Sequence, residues 1–92
     1  MRIINQADVG KWVRLKGKSD HGKTVIGYNG NIWKIAHVAV NKRVQLQSRE
    51  VSSWQRADRI GYGRWVTQGE DENYVIVEFT DSEGYALRSE KA

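Results

Sequence analysis

Apolar residues alternate with polar ones in short runs along most of the chain, and Gly, Asn and Asp break the runs. Successive side chains of a strand point to opposite faces, so this is how half-buried strands read. Val13 and Leu15 alternate with Trp12, Arg14 and Lys16, which predicts a first strand over about 11–17. Thr24 to Tyr28 predicts a second strand, and Asn29-Gly30 after it is a pair that supplies the positive φ angles of a tight hairpin turn. Ile32 to Val40 is apolar on both faces and therefore predicts a central strand. Asn41-Lys42 then turns the chain into a fourth strand, Arg43 to Ser48, with Val44 and Leu46 inward.

The period changes over 49–60. Val51, Trp54, Ala57 and Ile60 recur every three residues, and Ser52 with Gln55 has the spacing of a capping box, so a short helical segment is expected near 52–58. Gly61-Tyr62-Gly63 releases the chain into a strand over about 64–67, followed by a loop from Gly69 to Asn73. Tyr74 to Phe79 and Tyr85 to Arg88 predict a last hairpin. The expected fold is mostly β: one domain over residues 1–92, with five to six antiparallel strands, one short helical segment and a closed or partly closed small barrel. Closure would remove the exposed edges that invite aggregation.

Length and composition narrow the chemistry. A 92-residue chain supports one core and leaves little room for a deep catalytic pocket. It has no cysteine, so a disulfide framework and a cysteine-based zinc site are both excluded. Met1 to Asn5 lacks the apolar run of a signal peptide, and no stretch reaches the roughly 18 apolar residues of a membrane span. These features lead us to expect a cytoplasmic protein without membrane association, cofactor or metal.

Charge adds the sharper signal. Residues 1–66 carry thirteen Lys/Arg against four Asp/Glu, a net of +9, and residues 67–92 carry two against seven, a net of −5. The basic part is interleaved with Trp12, Tyr28, Trp33, Trp54, Tyr62 and Trp65. Cations mixed with aromatic faces suit a partner that bears both phosphates and bases.

Gly17-Lys18-Ser19-Asp20-His21-Gly22-Lys23-Thr24 fits the phosphate-loop pattern G-x-x-x-x-G-K-[ST] at every fixed position. That loop needs a helix beginning at its Lys, with the N-terminal amides facing the phosphates. Val25, Ile26, Gly27 and the Asn29-Gly30 turn signal argue against a helix there, so the expected form is a Gly- and Lys-rich loop between two strands. Such a loop can follow a phosphate backbone without any helix.

The run from Val13 to Val25 resembles the KOW motif of ribosomal proteins and transcription elongation factors, over about residues 11–48. The loop is one residue longer than in that motif, and Val25 stands where the motif has Gly. The resemblance implies that a strand, a Gly/Lys-rich loop and a second strand open an SH3-like barrel, with Arg43 to Leu46 as a later strand. It also implies contact with nucleic acid or protein through the loops at one end.

The candidate nucleic-acid-binding residues are Arg14, Lys16, Lys18, His21, Lys23, Lys42 and Arg43, with Tyr28 or Trp12 as the stacking residue. Trp33 reads as core, Trp12 and Trp65 as packing residues or exposed platforms, and Trp54 as a plug for an open end. His37, within Ala36-His37-Val38, reads as a structural histidine. No catalytic residue is assigned, and Glu70-Asp71-Glu72 reads as a solvated turn, since catalytic carboxylates need a cleft. The leading expectation is a non-enzymatic domain that binds RNA or DNA, as a monomer or weak dimer. The alternative is a protein-interaction module, an adaptor or an inhibitor made by a virus or mobile element.

Overall fold

The computed structural model describes residues 1–49 and 63–87. Five strands run in chain order: β1 (Trp12–Gly17), β2 (Ile32–Val38), β3 (Arg43–Ser48), β4 (Arg64–Thr67) and β5 (Tyr74–Thr80). They form one antiparallel sheet in the order β4-β3-β2-β1-β5. The mostly β expectation holds, and β2 is the central strand, as its apolar run predicts. Among the described residues the sheet is open, because β4 and β5 do not pair.

The β2–β3 turn follows the expected chemistry. Asn41 and Lys42 have φ of 64° and 65°, the positive angles that a two-residue hairpin needs. The preceding strand stops at Val38, two residues short of the predicted Val40. The last hairpin is reduced to an isolated bridge between Thr80 and Ala86, with the Leu87 amide donating to the Phe79 carbonyl at 3.0 Å. The helical segment expected near 52–58, with Trp54, lies outside the described residues, as does Arg88.

The second predicted strand is a helix. Residues 24–28 belong to α1 (Asp20–Asn29), and Asn29-Gly30 ends that helix where a hairpin was expected. Propensity is poor here, with Thr, Val, Ile, Tyr and two Gly in ten residues. Both ends compensate. Ser19 is the N-cap, its hydroxyl accepting the Gly22 amide at 2.9 Å, and Asp20 opposes the dipole in the first turn. At the other end Gly30 adopts φ 79°, and its amide donates to the Ile26 carbonyl at 2.8 Å. Trp33 Nε1 donates to the Gly30 carbonyl at 3.0 Å, tying the helix end to β2.

The glycines within this segment set how closely the helix can pack. A Cβ added at Gly17 would lie 2.5 Å from the Lys23 nitrogen, and one at Gly22 would run into the Asn73 carbonyl. Glycine is therefore required at both positions, at Gly17 for α1 to seat on β1 and at Gly22 for it to approach Asn73, just before β5. Val25 is buried, and Ile26 packs against the core beside it. Tertiary burial and caps outweigh propensity, which is how short helices in proteins usually form.

Register breaks between Arg14 and Leu15 on the β1–β5 side, and between Ile35 and His37 on the β2–β3 side, bend the sheet. Val66 of β4 and Tyr74 and Phe79 of β5 consequently share one core with Val13, Leu15, Trp33, Ile35, Val44 and Leu46. The N-terminal segment lies against both ends of this sheet. The buried Gln68 side chain, just beyond β4, accepts the Ile4 amide at 2.7 Å and donates to its carbonyl at 3.1 Å. Over β5, the Arg2 guanidinium sits 4.4 Å from the Phe79 ring centroid.

Asp8 anchors that segment. Its buried carboxylate accepts two hydrogen bonds from Arg2, at 2.7 and 2.8 Å, and one from the Asn5 amide at 2.9 Å, with Lys11 Nζ at 3.1 Å. The Arg2 hydrogen bonds outweigh the cost of burial and hold this carboxyl well below the usual carboxylate range.

Candidate functional site

Residues directly opposite in a sheet share a face, so the register sorts every side chain to one side or the other. Val13, Trp33, Ile35, Val44, Leu46 and Val66 form the inner face, beneath α1 and the N-terminal segment. The outer face takes the residues between them. Trp12 of β1 lies opposite Lys34 of β2, which lies opposite Gln47 of β3. One step along the sheet, His37 lies opposite Gln45, which lies opposite Trp65 of β4.

Two cation–aromatic pairs stand on this outer face. Lys34 Nζ is 5.9 Å from the Trp12 ring centroid, and the Arg43 guanidinium carbon is 5.0 Å from that of Trp65. His37 meets the edge of Trp65, with ring centroids 6.0 Å apart and planes at 82°. Trp65 is 39% exposed, whereas Trp33 on the inner face is 1% exposed. Beside Trp65 the buried Gln45 side chain packs against Gly63, and its Nε2 has no hydrogen-bond partner.

The outer face is basic. Its strand positions among the described residues carry Arg14, Lys16, Lys34 and Arg43, against Glu78 as the carboxylate. Glu78 is already engaged, accepting from Arg14 Nε at 2.9 Å, while Arg14 Nη2 donates to the Gly84 carbonyl at 2.6 Å. The predicted site residue Arg14 is thus held by the acidic half of the chain. The same is true at Lys18, whose Nζ donates to the Asp71 carbonyl at 2.8 Å.

Lys16, Lys18 and Lys23 do come together, as expected. They line a shallow hollow of about 830 Å³ with Met1 and the exposed Val75 and Val77 of β5. Other predicted residues are dispersed. His21 is exposed in the first turn of α1, and Tyr28, 85% exposed, stands near its last turn, on the element that covers the inner face. Lys42, in the β2–β3 turn, lines a separate hollow with Arg2 and Glu70. Of the predicted set, Arg43 and Trp12 are the members of the two cation–aromatic pairs.

Lys34, His37 and Trp65 complete that face and were not in the predicted set. His37 is exposed, which corrects its reading as a structural histidine. The signal for Lys34 and Trp65 was alternation itself. Lys34 is one residue from the buried Trp33 and Trp65 is one from the buried Val66, so both must point outward.

A helix does follow the Gly17-to-Thr24 match, contrary to expectation, yet no phosphate loop results. The helix starts at Asp20 rather than at Lys23, and the Gly22 and Lys23 amides are bonded within the chain, Gly22 to the Ser19 hydroxyl and Lys23 to the Ser19 carbonyl, each at 2.9 Å. Thr24 Oγ1 donates to the Asp20 carbonyl at 2.9 Å. In the acidic loop, Asp71 is a structural clamp, its carboxylate accepting the amides of Thr67, Asn73 and Tyr74 at 3.0–3.1 Å. No helix among the described residues is long and apolar enough to cross a membrane.

No family model, curated protein or solved structure matches this chain.

Proposed function

We propose that this domain is a non-enzymatic nucleic-acid-binding module whose contact surface is the outer face of the sheet. The observation that carries the reading is the pairing of Lys34 with Trp12 and Arg43 with Trp65 on one solvent-facing, basic surface. Lysine and arginine supply phosphate contacts, which give affinity, and the exposed Trp65 and half-buried Trp12 indoles supply base contacts. Lys16, Lys18 and Lys23 extend the positive potential around one end of β1 and steer the encounter.

Fluorescence anisotropy with single-stranded RNA, single-stranded DNA and duplex DNA, each at about 50 and 200 mM salt, tests this reading. Binding to at least one of the three should fall steeply with salt. The double reversal Lys34→Glu with Arg43→Glu should weaken it by tenfold or more, beyond the loss from Lys18→Glu with Lys23→Glu. Affinity unchanged by the outer-face reversal would place the contact surface elsewhere.

One observation favours the protein-binding alternative. Val75 and Val77 are exposed on β5, beside the Lys16, Lys18 and Lys23 hollow, and an apolar strip rimmed by charge is a feature of interaction sites. Substituting Val75 and Val77 by Thr separates the two readings: it abolishes capture of a protein partner and leaves nucleic-acid affinity intact if the part of the face around Trp12 and Trp65 is the site.

A further inference from the structure

We infer that the outer face takes single-stranded nucleic acid, with unstacked bases lying on Trp12 and Trp65, an inference that rests on the nucleic-acid reading above. Each indole is approached by a long, flexible cation, Lys34 at 5.9 Å and Arg43 at 5.0 Å from the ring centroids. At exposed sites such a contact strengthens the pairing only about two- to fivefold. A base stacked on an aromatic side chain contributes about fivefold to a hundredfold in affinity.

The base therefore wins the ring. The displaced ammonium or guanidinium stays within a side chain's length of it, where the sugar-phosphate backbone of the same nucleotide must pass. In the free domain each cation occupies its indole, and in the complex the base takes the ring while the cation moves to phosphate. A duplex cannot make this exchange. Its base faces are stacked inside the helix, and it offers only groove edges and phosphates, so the indoles would gain nothing.

The spacing sets a ligand length. Trp12 and Trp65 are separated by three strand-to-strand steps, β1 to β4, of about 4.8 Å each. They are also offset by one two-residue pleat along β3, from Gln47 to Gln45, a shift of about 6.7 Å. The two rings therefore lie about 16 Å apart on a flat projection of the sheet. A stacked strand advances about 3.4 Å per nucleotide and an unstacked one further, so the span takes about three to five steps, and a strand of about four to six nucleotides places a base on each indole. His37, at the edge of Trp65, adds a polar ring beside the second base.

The test is a titration of the full chain with oligothymidylates of two, four and eight nucleotides and with a duplex of twelve base pairs, followed by tryptophan emission and anisotropy. Affinity should rise by tenfold or more between two and four nucleotides, then change little at eight. The four-nucleotide ligand should quench emission and outcompete the duplex. Trp65→Leu should weaken single-strand binding by about tenfold and leave the salt slope unchanged, whereas Lys34→Gln should lower the slope. Thermal unfolding of each variant excludes a folding defect. Duplex affinity equal to that of the single strands, or single-strand affinity indifferent to Trp65→Leu, overturns this inference while the nucleic-acid reading stands. Failure of every nucleic acid to bind overturns both.

Discussion

Trp33 and Trp65 stand on opposite sides of one sheet, and the contrast between them is the contrast between its faces. Trp33 is enclosed by the inner core, with its indole nitrogen bonded to the end of α1. Trp65 stands in solvent between Arg43 and His37. Both residues follow and precede ordinary strand residues, so type alone does not separate them. Register does, because a shift of one residue moves a side chain through the sheet. The inner face is completed by the chain itself, through α1 and the N-terminal segment. On the outer face, Arg14 and Ile32 are covered by the turn at Gly84, whereas Trp65 is exposed and Trp12 is half-buried.

Truncation of the two indoles should separate these faces most strongly. Trp33→Ala should cost about 3–5 kcal/mol, the range for removing a large aromatic from a packed core. Trp65→Ala should cost about 1 kcal/mol or less, as for surface positions. Urea denaturation of both variants measures the difference, and equal costs would mean that the faces are not distinct.

Asp8 gives the next largest effect, and it belongs to the closure of the inner side. Asp8→Asn removes a buried charge from Arg2 and Lys11 and should cost about 3 kcal/mol at pH 7. The folded state holds this carboxyl below its usual range, so the unfolded chain takes up the proton first as pH falls. The stabilisation is complete above about pH 5 and is lost as pH drops through the ordinary carboxylate range and below it. The gap between the two proteins should therefore narrow steadily from about pH 5 towards pH 2 without closing there, and a gap at about pH 2 as wide as at pH 7 would show that shape, not charge, is what Asp8 contributes.

The smallest effect sharpens the account of α1. Ser19→Ala removes the N-cap and should cost about 1 kcal/mol, with faster amide exchange at Gly22 and Lys23. Outer-face binding should be untouched.

Much of the sheet was legible in the sequence. β3 and β4 begin and end where alternation places them, and Asn41-Lys42 turns as its positive φ angles require. In these strands local pattern and tertiary structure agree. α1 was not legible, because what makes it a helix is spread over distant partners: the Ser19 cap, the Gly30 terminus, and the contacts of Gly17 and Gly22 with backbone 5 to 51 residues away along the chain. Val25 and Ile26, residues of high β propensity, read as strand until their burial is known. The site was legible as chemistry more than as place. Basic and aromatic residues were expected to act together, but Arg14 is engaged by Glu78 and Gly84, and Tyr28 lies on α1. Alternation points Lys34 and Trp65 outward, but only the register shows that they share one face with Trp12 and Arg43.

The most direct test follows the indole N–H signals of the four tryptophans by two-dimensional NMR while a four-nucleotide single strand is added. The account predicts large shifts for Trp12 and Trp65 and little change for Trp33. Shifts confined to Trp33, or Trp12 and Trp65 signals unmoved when the strand is bound, would contradict it.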